Sequence, residues 1–332
     1  MRDICILTYW GVANYGAWVQ AYCFNKFLSK LFNRSVLHIG YLEDSHWNIY
    51  YKQNERLLNA FDYSWRIIPH IVISTDRELE ETKFDTFITG SDSIWSFEQF
   101  NINPDMHLLG KDIDANRKIA YAVSCDTLLH CDAPENMGSY IESYDAVSVR
   151  DNHTRETIKK LCNLDDERLS LVLDPALMWE LRYDSIVCSP IYKDYIVVYG
   201  LNWDEEFIKK ATVFAKSKGL KTISVGYINP WCDISIKMIE LRCQEWLGMF
   251  ANAEAVFTST FHGLMVGLNF RKQVKFDQVK GVKNRSQSLI DNLGIDKAIY
   301  NFDVFIDWYE FENNLKRERE SSQAFLVNSM EL

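Results

Sequence analysis

The chain has 332 residues, 47% of them hydrophobic, 14% aromatic and 25% charged, with 14 Gly and 6 Pro; this excludes disordered and fibrous proteins and leaves room for two globular domains. A formal charge of −10 excludes a general affinity for nucleic acid, although a few Arg and Lys in one cleft can still hold a small anion. No run approaches the roughly 18 apolar residues of a membrane span, and the apolar part of MRDICILTYW is too short for a signal peptide, so a cytoplasmic protein is expected.

In chain order, DICILT (3–8) predicts a strand, the pattern from Tyr15 to Leu31 a helix, and SVLHIG (35–40) a second strand. The aromatic-rich stretch 41–80 has no clear period. FDTFITG (84–90), KIAYAVS (118–124), DAVSVR (145–150) and LSLVLD (169–174) then read as strands, with a charged helix around 152–162. Pro190 marks 183–194 as a connection. A second alternation follows: IVVYGL (196–201), a helix from Asp204 to Lys218, LKTISVG (220–226), a helix near 243–252, AVFTST (255–260), a helix opened by His262, and QVKFD (273–277). The segment 303–330 is a charged helical pattern that packs outside or back onto the first half. Runs of this kind alternating with helices predict an α/β fold with parallel sheets, here two Rossmann-like domains in a GT-B-like arrangement around an interdomain cleft. The expected division is 1–182, 183–302 and a helical segment 303–332.

The eight cysteines include no C-x-x-C pair and read as reduced, mostly buried thiols. Cys125, His130, Cys131 and Asp132 lie close in sequence, but their spacing matches no familiar zinc site. No His pair has metal-ligand spacing on a helix, and P-loop, dinucleotide and nucleophile-elbow motifs are absent. A metal-independent reaction without a bound cofactor is expected.

In FTSTFHGLMVGLNF (257–270) a strand gives way at once to a helix, capped by Ser259 or Thr260. Its first turn offers unpaired N–H groups and the positive end of the peptide dipoles, with Gly263 leaving space for a ligand. His262 there reads either as a proton-transfer group or as a capping or packing histidine. Three further stretches bear on the choice. In FDTFITGSDSIW (84–95), Ser91 and Asp92 follow a buried strand, and Asp92 otherwise reads as a helix cap. Arg150 ends DAVSVR, suited to a bidentate grip on phosphate or carboxylate, or else to a surface salt bridge with Asp151 or Glu156. Asn14, Tyr15 and Gly16 occupy the first strand-to-helix loop, a usual place for ligand contacts.

NYGA, TGSDSIW, YAVS, SVRD, LDP, EWLGMFANAEAVFTSTFHG and KNRSQSLIDNLGI, in this order, resemble the polysaccharide pyruvyl transferase family through most of the chain. The chain departs from the family pattern at Cys125 after YAVS and at Thr260 inside S-x-F-H-G. The resemblance implies transfer of a pyruvyl group from phosphoenolpyruvate to a sugar of a surface polysaccharide or its lipid-linked precursor. A cyclic ketal forms and phosphate is released. It implies His262 as general acid/base and Arg150 as anion clamp; the position of Asp92 at its strand end adds it as base for the attacking hydroxyl. Asn14, Tyr15, Gly16, Ser91, Ser259, Thr260, Phe261 and Gly263 become substrate contacts. Lys283 and Arg285 read as added positive potential or as a solvated basic loop. The first domain then takes the acceptor and the second the donor, and a lipid-linked acceptor implies peripheral association with the inner membrane face. Two other readings stay open: a nucleotide-sugar glycosyltransferase on the same scaffold, and a non-catalytic partner in glycan assembly.

Overall fold

A computed structural model of the chain describes residues 3–41, 55–97, 105–164, 168–278 and 282–331. Two parallel sheets organise it. The first has the order β3-β2-β1-β4-β5-β6-β7, built from β1 (Ile4–Leu7), β2 (Val36–Ile39), β3 (His70–Ile71), β4 (Lys83–Thr89), β5 (Asp114–Val123), β6 (Ala146–Val149) and β7 (Leu169–Leu171). The second runs β10-β9-β8-β11-β12, from β8 (Tyr195–Tyr199), β9 (Lys221–Gly226), β10 (Ile234–Lys237), β11 (Ala255–Thr258) and β12 (Gln273–Phe276). Every strand pair is parallel. Strands such as β1 and β8 are buried at every position, because crossover helices cover both faces. The fold is α/β, with two Rossmann-like lobes in a GT-B-like arrangement.

The helices that shape the interlobe region are α1 (Tyr15–Phe32), α2 (Glu55–Trp65), α3 (Asn152–Leu161), α4 (Pro175–Met178), α5 (Cys243–Asn252), α6 (Phe261–Asn269), α7 (Val282–Leu293) and α8 (Trp308–Glu331). Their boundaries follow local chemistry. Asn14 caps α1, accepting from the N–H groups of Gly16 and Ala17, and Asn33 in the left-handed region ends it. Asp151 caps α3. Asp174 caps α4, whose first residue is Pro175.

Sequence and structure differ at the short elements. LSLVLD becomes the strand Leu169–Leu171 followed by α4. β10 pairs with β9 although ISIK shows no period that separates it from loop. The stretch 41–80, unassigned from sequence, holds α2, β3 and a helix at Asp76–Glu81 among its described residues.

The largest apolar core crosses between the lobes. Tyr15, Trp18 and Phe61 from α1 and α2 join Tyr199, Trp246, Phe250, Leu264 and Met265 in one buried cluster. Tyr15 stacks on Trp246 with centroids 4.9 Å apart and planes 9° from parallel, a geometry that adds about 0.5–1.5 kcal/mol to the burial itself. Its hydroxyl donates to the carbonyls of Leu241 at 2.8 Å and Met238 at 3.1 Å. The Ser64 hydroxyl donates to Gln244 Oε1 at 3.0 Å and accepts from the Cys243 N–H at 3.2 Å. Asn269 of α6 donates to the carbonyls of Ala176 and Trp179 and accepts from the Leu181 N–H.

The C-terminal helix α8 returns to the first lobe. Leu326 sits in a buried cluster with Ile4, Ile6, Phe24 and Tyr121, and the Leu173 N–H donates to Ser322 Oγ at 2.9 Å. Among the described residues, no helix is long and apolar enough to cross a membrane.

Because Trp246 is fully buried and is the stacking partner of Tyr15, Trp246→Ala is expected to cost about 3–5 kcal/mol of unfolding free energy. A urea titration measures this. A midpoint close to that of the unmodified chain would show that the interlobe stack contributes little.

Candidate functional site

The candidate site lies where the carboxyl ends of β4, β6 and β7 meet α6 and α7 of the second lobe. After β4, Gly90 adopts φ +110°, and an added Cβ would stand 2.2 Å from the Tyr121 carbonyl oxygen, so glycine is required where the chain passes β5. Asp92 is left-handed at φ +80°, a conformation costly for a non-glycine residue unless its surroundings impose it. The Ser124 N–H does so by donating to the Asp92 carbonyl at 2.9 Å. The Asp92 carboxylate accepts from the Ser93 N–H at 2.8 Å.

Arg150, just past β6, joins the strand ends. Nη1 donates to Asp174 Oδ2 at 2.7 Å, while Nη2 donates to Asp92 Oδ1 at 3.1 Å and Ser93 Oγ at 3.0 Å. Its guanidinium lies over the Phe261 ring, 4.6 Å from the centroid. The side chains of Arg150 and Asp174 are each only 1% exposed, and that of Asp92 16%. A charge so buried is tolerated only when paired and hydrogen-bonded. Burial works against the Arg150 charge, but Asp92 and Asp174 outweigh it and raise its pKa.

From the second lobe, Thr260 caps α6 by accepting from the Gly263 N–H at 3.0 Å, which places His262 in the first turn. The ring is partly buried. Its Nδ1 lies against Gly16 of α1, and its Nε2 is buried with no hydrogen-bond partner among the described residues. Burial pulls the His262 pKa down; Asp92 and Asp174 oppose this, Arg150 and Arg285 add to it, and the value stays below the usual one. The imidazole is therefore neutral at pH 7, a proton acceptor whose charged form the nearby carboxylates stabilise. Burial pushes the Asp92 carboxyl up, but Arg150, the Ser93 N–H and Arg285 outweigh it, so Asp92 is held ionised.

Arg285 of α7 reaches across the lobes, with Nε 2.9 Å from Asp126 Oδ1 and Nη1 3.3 Å from Ser93 Oγ. Nearby, the Asn152 N–H at the start of α3 donates to Ser288 Oγ at 2.9 Å.

The structure thus brings His262, Asp92, Arg150 and Arg285 together and gives several other predicted contacts different work. Arg150 is not an open clamp: its fork is engaged by two carboxylates and a hydroxyl. Tyr15 is core, fully buried against Trp246. Ser91 donates to Gln20 Oε1 at 2.7 Å, and its carbonyl accepts from Thr8. Ser259 Oγ donates to the Leu201 carbonyl and accepts from its N–H. Gly263 packs the helix onto its strand, since a Cβ would meet Thr258 Oγ1 at 2.1 Å and Tyr199 Cδ1 at 2.8 Å; the space is not open to a ligand. Phe261 supports Arg150. Asn14 is exposed at the start of α1. The Lys283 side chain lies outside the described residues.

Ser93, Asp126 and Asp174 were missed as site residues. Asp174 had a sequence signal, a carboxylate in LDP at the end of an apolar run. Asp126 had none. Among the described residues, no group of three or more His, Cys, Asp or Glu side chains is arranged to hold a metal ion.

Fold and site define a two-lobed α/β protein of the GT-B kind, with a histidine and a buried arginine–carboxylate cluster at the lobe junction. The chain belongs to the polysaccharide pyruvyl transferase family, whose model matches residues 14–274. No curated protein matches it. Among solved structures it is similar to S. aureus MnaA in its UDP co-structure, at 11% identity over 88% of this chain and 83% of that one, with a TM-score of 0.52. Matches also include the Methanocaldococcus jannaschii UDP-GlcNAc 2-epimerase with UDP-GlcNAc and UDP (11% identity, 97% and 98% of the chains, TM-score 0.47). A third is the E. coli heptosyltransferase WaaC with ADP-2-deoxy-2-fluoro heptose (11%, 87% and 99%, TM-score 0.41). At this identity the likeness is one of fold.

Since Asp92 raises the His262 pKa while burial and the two guanidiniums lower it, Asp92→Asn is expected to move the His262 titration further down in pH. Ring NMR signals followed across the acidic range measure this. An upward or absent shift would show that Asp92 does not act on the ring.

Proposed function

We propose that the protein transfers the pyruvyl group of phosphoenolpyruvate to a sugar hydroxyl pair of a surface polysaccharide or its lipid-linked precursor. The observation that supports this most is the neutral His262 ring, in the first turn of α6, whose charge the Asp92 carboxylate favours and the guanidiniums of Arg150 and Arg285 oppose, in a chain of this family. The reaction needs a group that accepts and delivers protons. The methylene carbon of the enol takes up a proton, a sugar oxygen bonds to the neighbouring carbon as its own proton leaves, and phosphate departs. The second hydroxyl then bonds to the same carbon to close the ketal, and its proton leaves with the phosphate.

His262 serves as acid/base: it takes the hydroxyl proton as a neutral ring and, as imidazolium stabilised by Asp92, returns a proton to the enol carbon. Asp92, held ionised, orients and stabilises that charge in preference to acting as the base itself. With Arg150 already engaged, the donor's phosphate and carboxylate fall to Arg285 and to the first turn of α6. The acceptor is a glycan, and a lipid-linked form brings the enzyme to the inner membrane face.

The test is phosphate release from phosphoenolpyruvate across galactosyl, mannosyl and N-acetylhexosaminyl acceptors, with the ketal confirmed by mass. Turnover with one acceptor class is expected, and His262→Ala should reduce it by at least about 10²-fold while the thermal midpoint holds. Stabilisation by nucleoside diphosphate sugars, and none by phosphoenolpyruvate, would favour the glycosyltransferase reading instead.

A further inference from the structure

We propose that Tyr15 and Gly16 of the first lobe form a positioning element that sets the plane of the His262 ring in the second. An ideal Cβ on Gly16 would lie 2.3 Å from His262 Nδ1, 2.6 Å from Cγ and 3.0 Å from Cε1. No side-chain carbon stands that close to a ring, so the imidazole rests directly on the Gly16 backbone. Helical freedom does not explain the glycine. Gly16 is the second residue of α1 and is absent from the left-handed glycines, so no backbone conformation demands a glycine there. What the position requires is the missing Cβ.

The Gly16 backbone cannot withdraw. Its N–H is held by Asn14 Oδ1 at 2.8 Å. The preceding residue, Tyr15, is fixed to the second lobe by the stack on Trp246 and by the carbonyls of Met238 and Leu241. Next to the ring, Phe261 meets it edge-on with centroids 5.7 Å apart. The first turn of α1 is thereby pinned under the imidazole by the lobe that carries it. Tyr15 and Gly16 act on the chemistry through His262, without touching substrate.

The activity arm of the test rests on the acid/base reading of His262; the spectroscopic arm does not. In the full chain labelled at histidine, the His262 ring signals are identified by their loss in His262→Ala. Gly16→Ala is expected to shift those signals and the ring titration, leaving the other histidines unmoved. On the proposed reaction it lowers kcat by about 10²-fold, the scale of a 1 Å misplacement, with the donor KM within about threefold. Added to His262→Ala it should cost nothing more, because the two act as one unit. If Gly16→Ala fails to fold, Tyr15→Phe keeps the stack and drops the two hydroxyl bonds, and the same signals should move, by less. Unmoved ring signals in a folded variant, or a double variant slower than His262→Ala alone, would overturn the proposal. Should phosphoenolpyruvate give no turnover in the unmodified protein, the functional reading fails while the ring signals still decide the positioning role.

Discussion

The burial of Tyr15 against Trp246 is the contact on which the rest of the site depends. Domains joined by modest polar interfaces move against each other by default. Here the interface is a continuous apolar core containing Tyr15, Trp18, Phe61, Trp246, Phe250 and Leu264, and it fixes one arrangement. His262 comes from one lobe, whereas Asp92 and Arg150 come from the other. Their convergence is a property of the interlobe core before it is a property of any single motif.

Charge balance follows from that geometry. Arg150 and Asp174 are almost fully withdrawn from water, and such a group is stable only while its partners stay in place. Arg150 meets this condition by taking one carboxylate at each end of its fork. The same arrangement fixes Asp92 at the lobe junction, so a residue that reads from sequence as a ligand for anions is engaged by carboxylates of its own lobe. A lysine, with a single ammonium in place of a planar fork, cannot reproduce both contacts.

Much of the fold was legible because strands covered on both faces are apolar throughout and stand out between helix-length segments. The elements that escaped were β3, which spans two residues, β10, an edge strand only partly buried, and α2, which lies in the aromatic-rich stretch without a clear period. The site was legible in part. Thr260 and His262 are neighbours in sequence, and a cap followed by a helical pattern places the ring in a first turn. The partners of Arg150 were hidden, because Asp92 and Asp174 are brought to it only by the strand order β4-β5-β6-β7. The polar motif residues Ser91 and Ser259 looked like ligand contacts for a related reason. A hydroxyl at a strand end reads the same in sequence whether it faces substrate or, as here, a helix side chain (Ser91 to Gln20) or a loop backbone (Ser259 to Leu201).

That commitment of motif residues to the scaffold has a consequence for any anionic substrate at this junction. With Arg150 neutralised by two carboxylates and Arg285 beside Asp126, free positive charge from these side chains is scarce. The dipole at the start of α6 is not compensated in this way, since Thr260 takes the Gly263 N–H through its hydroxyl and the Leu264 N–H through its carbonyl and brings no charge of its own. A dianion arriving there competes with Asp126 for Arg285, and its own charge favours the imidazolium form of a ring that burial keeps neutral beforehand. On the pyruvyl-transfer reading, donor binding makes the neutral ring more basic, so that it takes the hydroxyl proton readily only in the complex.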